Sequence, residues 1–419
     1  MKAPRPRLLF ISPSFLFPAN TGGRIRTTNV LRGLRGGAFE VTLSGPATAE
    51  QRQQWQTQIG TLCDRFEAWA PAAALPRWTR AVDLCRSIPV NVAADRTAAA
   101  MQAVRGLLAR ERFDVVVFDF VHAAVLRPER VDAATVCFTH NVEAEIFARH
   151  ATQAGNPLMR GIWADQHRKM VRFEREQLRR FTTVVAVSAR DAAWFGAQYA
   201  LPGVETIPTG VDLDYFAWQE PPPVDDAHPP HVVFTGSMDW AANVDGMVHF
   251  AAEVWPRVRA ARPNARLTIV GRDPPATLTQ LAKASAGVSC TGFVPDVRPF
   301  VHDAHVFVIP LRVGGGTRIK AFEAMAMGCP VVSTAIGIEG LDVAPDEHYL
   351  LRDGATEQAA GVLELLGEPA LRLALSRRAR ACVEQRFGHR VAAQAFEQIC
   401  LRAVRRHAVA RPSLAEAVA

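Results

Sequence analysis

Residues 313–334 read VGGGTRIKAFEAMAMGCPVVST. Gly314, Gly315 and Gly316 bare the backbone and let a ligand approach closely. Thr317 is placed to cap a helix. The free N–H groups at that helix start, with its dipole, make an anion site. Arg318 and Lys320 add positive charge there. Glu323 lies one turn further in and would repel an anion, so it needs another partner. An ionised carboxylate accepts hydrogen bonds, and the hydroxyls of a sugar or ribose suit it. The same residues also fit a solvated loop, with Glu323 paired to Lys320 at i+3.

Such residues need a scaffold. Short apolar runs recur between amphipathic segments: LLFIS (8–12), VTLSG (41–45), DVVVFDF (114–120), ATVCFTH (134–140) and TTVVAVS (182–188). A second series follows: HVVFTG (231–236), ARLTIVG (265–271), GVSCTG (287–292), HVFVIP (305–310), PVVST (330–334) and YLL (349–351). Helices are expected near 24–36, 96–111 and 159–181 and from 369 to about 408. Continuous Val/Ile/Leu/Phe strands between helices predict parallel sheets covered on both faces. The Pro-rich, acidic stretch WQEPPPVDDAHPPH (217–230) reads as a linker. The fold class is therefore α/β, with two Rossmann-like doubly wound domains. Ligands in such sheets sit outside the C-terminal strand ends.

The bulk numbers agree. At 419 residues the chain is too long for one ordinary core. A formal charge of +7 suits nucleic acid, an anionic membrane surface or phosphorylated substrates and singles out none of them. Seven cysteines are scattered without a CxxC pair, as expected for reduced thiols in the cytosol. The start, MKAPRPRLLFISPSFLFPANTGG, looks superficially like a signal peptide, but Pro13 and Pro18 interrupt it and Leu8–Ser12 reads as a first strand. No apolar run approaches the ~20 residues of a spanning helix. Neither first βα loop offers GxGxxG with a following acidic residue, which argues against a nicotinamide enzyme.

The order FTG … IVG … TGFVPDVRPFVHDAHVFVIPLRVGGGTRIKAFEAMAMGCPVVST resembles the C-terminal domain of retaining GT-B glycosyltransferases of sequence family 4. PSFLFPANTGGRIRTTNVLRGL and the THN at 139–141 resemble that family's acceptor-side domain. The whole is most similar to sugar transferases of bacterial exopolysaccharide and PEP-CTERM systems. The resemblance implies two domains facing across a cleft, with a C-terminal helix crossing back. Its boundaries are 1–215 for the acceptor side, 216–230 for the linker, 231–390 for the nucleotide-sugar side and 391–419 for the last helix and tail. It implies a metal-independent hexosyltransferase with no cofactor. The donor would be a nucleotide sugar and the acceptor a glycan or lipid-linked glycan. The setting would be cytoplasmic, with peripheral contact to an anionic membrane and no nucleic acid. The alternatives are a non-catalytic sugar-nucleotide binder and a sugar-nucleotide epimerase.

The family signature has two glutamates seven residues apart. The second matches Glu323 and implies bonds to ribose hydroxyls; the first falls at Gly315, where backbone N–H groups of the glycine run are expected to serve instead, with Gly315, Gly316 and Thr317 as donor-binding candidates. Family members often carry an Arg and a Lys after the first C-domain strand. Here that loop is GSMDWAANVDG (236–246), with Gly236, Ser237 and Asn243 and no cation near those places. The expected clamp is instead Arg318 with Lys320. Gly22 and Gly23 match a loop that approaches the donor phosphate. His140 matches a histidine that contacts the donor sugar, and His122 is an acceptor-side candidate. Asp296, in TGFVPDV, borders the base in the family and is expected to act through its backbone. Asp212-x-Asp214 looks like a metal-binding pair but resembles the family's interdomain GVD motif, so no metal site is expected. The basic helix 159–181 is a candidate for contact with anionic lipid.

Overall fold

The computed structural model describes residues 4–19, 21–72, 83–84, 86–238, 240–313 and 318–409. Gly314, Gly315, Gly316 and Thr317 lie outside the described residues. The chain divides into two compact units, Met1–Gly210 with His389–Ala419, and Val211–Gly388.

In the first unit the described strands are β1 (Arg7–Ile11), β2 (Glu40–Pro46), β3 (Arg65–Trp69), β4 (Val115–Asp119), β5 (Ala134–Phe138), β6 (Thr183–Ala186) and β7 (Glu205–Thr206). They form one parallel sheet in the order β3-β2-β1-β4-β5-β6-β7. Every residue of β4 and β5 is buried, because helices cover both faces and an apolar run has nowhere to alternate. The C-terminal helix His389–Val409 returns to this unit, and its Phe396, Ile399 and Ala403 join the core of Leu8, Phe10 and Val30.

In the second unit β8 (His231–Thr235), β9 (Arg266–Val270), β10 (Val288–Cys290), β11 (Val306–Ile309), β12 (Val331–Ser333) and β13 (Leu350–Leu351) form a parallel sheet in the order β10-β9-β8-β11-β12-β13. In each sheet the strand order reverses once, between β1 and β4 and between β8 and β11. Those reversals open crevices at the C-terminal strand ends.

The structure corrects two expectations. Residues 216–230 are not a free linker but a strap on the second unit. Arg380, His302, Arg372 and His305 donate to the carbonyls of Phe216, Ala217, Pro222 and Pro223 at 3.0, 3.2, 3.2 and 2.9 Å. Its prolines offer no N–H, so the strap is held largely through its carbonyls by distant side chains, with Gln219 N donating to Met327 O at 3.2 Å and Trp218 Nε1 to Ser376 Oγ at 3.1 Å. The continuous helix expected after 369 breaks at Phe387–Gly388 into Pro369–Arg386 and His389–Val409, which belong to different units.

Candidate functional site

Each crevice holds a polar cluster. In the second unit the loop after β8 and the helix Ile319–Ala326 after β11 flank the reversal. Gly236 continues the ladder, donating to Val270 O at 2.9 Å, and Met238 N donates to Arg272 O at 3.0 Å. Asn243, buried in the helix Ala241–His249, donates through Nδ2 to Ser237 O at 2.7 Å. Its Oδ1 accepts from Lys320 Nζ at 3.0 Å. The ammonium also lies 4.2 Å from the Phe234 ring centroid. A Cβ at Gly236 would stand 2.6 Å from Lys320 Nζ and 2.8 Å from Asn243 Nδ2, so a side chain here would push the ammonium and amide aside. Lys320, Asn243, Ser237 and Gly236, named from sequence, are therefore brought to one place.

Arg318 and Lys320 part company. Arg318 is only 2% exposed; its Nε donates to Ile336 O at 3.2 Å, and its guanidinium lies 5.4 Å from the Trp240 ring. It pins the start of the helix rather than offering a mobile charge. Burial, with the neighbouring Arg318 charge, pushes the Lys320 ammonium down to about 7, against the opposing pull of Glu323. Burial pushes the Glu323 carboxyl up to about 7, opposed by Lys320. Glu323 makes no side-chain hydrogen bond or ion pair among the described residues, because the Lys320 ammonium is turned to Asn243. The i+3 pair is thus not formed, and the carboxylate is left open. Sequence reading missed Arg272, at the end of β9, whose Nε donates to Ser237 Oγ at 2.9 Å. Asp296 is gripped by the Arg298 side chain and backbone N–H, which leaves its carboxylate little to offer a ligand. Asp212 Oδ1 accepts from the N–H groups of Asp214 and Tyr215 at 3.2 and 3.0 Å, closing a turn.

In the first unit the centre of the crevice is Asp119, fully buried at the end of β4 and not singled out from sequence. Thr27, on the helix Gly22–Leu34, donates to its carboxylate at 3.0 Å, Ser12 at 3.2 Å and His140 Nε2 at 2.8 Å. Arg26, buried in the same helix, places Nη1 3.4 Å from His140 Nδ1. That bond makes Nδ1 the acceptor and leaves the imidazole neutral, as does burial, which pushes its pKa down against the charge of Asp119. His140 is 3% exposed, and Phe120 and Phe138 lie 4.0 and 4.3 Å from its ring. With both nitrogens used, His140 holds Asp119 and Arg26 in place and presents no nitrogen to a substrate. Phe120 has φ +67°, and its ring sits 2.4 Å from where a Cβ of Gly23 would stand. Gly23 therefore serves this ring, whereas Gly22 is open at the helix start. His122 lies beyond Phe120, its Nδ1 2.5 Å from Asp95 Oδ2.

Residues 21–215 match the family model described as Glycosyltransferase Family 4, and 229–368 match that of Glycosyl transferases group 1. The chain belongs to the group 1, family 4 glycosyltransferases. Over 308 residues this glycosyltransferase is 27% identical to a GDP-mannose-dependent monoacylated alpha-(1-6)-phosphatidylinositol monomannoside mannosyltransferase of Corynebacterium glutamicum, covering 66% of this chain and 78% of that protein. It is 28% identical over 133 residues to an uncharacterized 44.6 kDa protein in the cps region of Klebsiella pneumoniae. That match takes in 30% of this chain and only 34% of the Klebsiella protein's length. The structure is similar to that of Anabaena HepE in complex with UDP-glucose, at a TM-score of 0.61 and 13% identity over 94% of this chain and 99% of that one. The fold is thus of the GT-B kind: two parallel-sheet Rossmann-like domains. In this glycosyltransferase the loop after β8 has no Lys or Arg over 236–246, and Lys320 reaches it from the helix after β11.

Proposed function

We propose that the protein transfers a hexose, with retention, from a nucleotide sugar to a hydroxyl of a glycan or lipid-linked glycan in exopolysaccharide synthesis. The observation that carries this is the Lys320 ammonium held by Asn243 at the loop after β8, beside an open Glu323. The C1–O bond to the diphosphate breaks through an oxocarbenium-like state, and the acceptor oxygen bonds C1 on the same face. The acceptor proton passes to a phosphate oxygen, so no carboxylate base is needed. Lys320 and the N-terminus of its helix meet the charge of the leaving diphosphate. Arg318 braces that helix. Glu323 accepts from ribose hydroxyls. The ammonium fills the place a divalent cation holds in other transferases, so no metal is required. The UDP-glucose bound by HepE and the GDP-mannose dependence of the Corynebacterium relative support the donor class. The cps region of the Klebsiella relative supports the setting.

A melting screen with UDP-, GDP- and dTDP-sugars in EDTA tests this. A donor at 100 times its Kd adds about 2.7 kcal/mol, a rise of roughly 5–10 °C for a unit of this size. Absence of any shift, or of sugar release from every donor, would sink the proposal; a shift that needs Mg²⁺ or Mn²⁺ would sink its metal-free part.

An acceptor on a lipid places the protein at a membrane surface. Among the described residues no helix is long and apolar enough to cross one. The helix Pro157–Leu178 buries Met170, Phe173 and Leu178 but leaves Leu158 74% exposed near its start and Arg160, Arg168 and Arg172 exposed along its length. Sedimentation with phosphatidylglycerol vesicles should pull the protein down at low salt. The Arg160→Ala, Arg168→Ala, Arg172→Ala triple variant should remain in the supernatant; equal pelleting would remove this surface from consideration.

A further inference from the structure

One titratable cluster is left unused by that donor chemistry. β4 and β5 run side by side to Asp119 and Phe138, and the chain beyond each carries polar groups. His122 lies in the short helix Val121–Leu126 after β4, and Glu143 opens the helix Glu143–Gln153 after β5. Asp95 ends the helix Val90–Asp95 and meets His122 Nδ1 at 2.5 Å. That contact fixes the proton on Nδ1, and Nε2 has no hydrogen-bond partner among the described residues. The side chains of His122 and Asp95 are 20% and 21% exposed, so both are within reach of a ligand. His140, one strand away, is the counter-example: its side chain is 1% exposed and both nitrogens are engaged.

We infer that His122, Asp95 and Glu143 form the subsite for the acceptor, and that the acceptor's reacting end is an uncharged sugar rather than a phosphate. This rests on the glycosyl transfer proposed above. Asp95 touches His122, and the charges of Glu143 and of the buried Asp119 act on it, with His140 behind and Arg149 acting on Glu143. Carboxyl groups on this side of the imidazole disfavour a phosphate, whereas sugar hydroxyls both donate and accept. The open Nε2 accepts from a hydroxyl in the neutral imidazole and donates to one in the charged form, and Glu143, hydrogen-bonded by Asn141, is a further acceptor. Burial works against the charged imidazole, but the hydrogen bond and charge of Asp95 outweigh it and hold His122 above its usual range. Burial pushes Glu143 up, opposed by His122. Phe120, whose ring is 5.0 Å from that of His122, supplies an apolar wall and is held there at a positive φ. Backbone strain of that kind gathers where a side chain must be aimed. An aromatic wall with a few convergent polar groups has the make-up of a small-molecule site.

The test has two independent arms. In the first, imidazole NMR follows His122 in the whole protein while methyl glycosides of glucose, galactose, mannose and N-acetylglucosamine, or inorganic phosphate, are added. At least one glycoside should move the His122 signal and phosphate should not. His122 should titrate above free imidazole, and Asp95→Asn should bring it down. A response to phosphate alone, no response to any glycoside, or a pKa that Asp95→Asn leaves unmoved would overturn the inference. This arm needs no turnover, so it stands apart from failure of the proposed function. In the second, His122→Ala and Glu143→Gln should raise the acceptor KM by about 10- to 100-fold and move the donor KM far less. An equal rise in the donor KM would place these residues on the donor side and overturn the assignment.

Discussion

Replacing Lys320 with methionine is expected to lower kcat/KM for the sugar nucleotide by about 100- to 1000-fold. A cation ~4 Å from a phosphate contributes on the order of 4 kcal/mol at an effective dielectric of 20, which sets the ceiling. The same substitution is expected to leave the melting temperature unchanged or raise it. A buried ammonium costs desolvation, and it is offset here only by one neutral amide, one ring and the charge of Glu323, a carboxyl itself pushed up to about 7. Methionine keeps the volume without the charge. Activity and stability should therefore move apart, which no loss of fold would produce. Lys320→Arg should not restore turnover, because Gly236, Asn243 and Phe234 already enclose the ammonium. The pH dependence follows from the same burial. The free-enzyme ammonium titrates at about 7, and an anion binds its protonated form. Donor affinity should be full below that value and fall about tenfold per pH unit above it, until the pKa of the donor-bound enzyme is reached. Calorimetry in buffers of different ionisation enthalpy should show proton uptake on binding at pH 8. A Lys320→Met enzyme within threefold of wild type, or donor affinity flat from pH 6 to 9, would refute the clamp.

The charged cluster at Lys320 was largely legible because its residues lie close together in sequence. Arg318, Lys320 and Glu323 stand at the start and in the first two turns of one helix, and the strands before and after them are short apolar runs. What the sequence hid was which cation is available. Arg318 and Lys320 look equivalent in GGGTRIK, and only the carbonyl of Ile336 and the ring of Trp240 show that Arg318 is enclosed. Asp119 was hidden for the opposite reason. It sits in DVVVFDF as one polar letter in a buried strand, and its donors come from residues 12, 27 and 140. A carboxylate that interrupts a fully buried strand was itself the available signal, since such a charge needs partners. The strands β3 and β7 escaped because they are edge elements. RFEAW is only half-buried over four of its five residues, and β7 is two residues long. The strap 216–230 was misread because proline-rich composition reports the absence of N–H donors, not the presence of Arg372 and His305 above its carbonyls.

Asp119→Ala should cost the first unit about 3–5 kcal/mol, a fall in melting temperature on the order of 10 °C. The reason is what stays behind. His140 Nε2, the Thr27 and Ser12 hydroxyls and the Arg26 guanidinium are all buried, and one carboxylate satisfies or balances each of them. Burial already pulls Arg26 down to about 10, with Asp191 and Asp119 opposing that pull. Without Asp119 the guanidinium keeps Asp191, the larger of its two supports, but loses the second, and His140 loses the acceptor that fixes its tautomer. Asp119→Asn should cost less, because the amide oxygen still accepts from Thr27, but it cannot balance Arg26. Acid should weaken the same network. His140 has a folded pKa below its unfolded value, so its contribution is complete above about pH 6.5 and is lost as the pH falls through that range. That loss should be visible in wild type and absent in His140→Phe, which cannot take up the proton. Calorimetry from pH 8 to 5 reads both effects. An Asp119→Ala protein melting within 2 °C of wild type would mean that the Asp119–His140–Arg26 chain does not hold this end of the sheet. Because Asp119 has no exposed surface, the variant should still gain stability from the donor at temperatures where it remains folded. A lost donor response in a folded variant would instead make Asp119 part of the donor site.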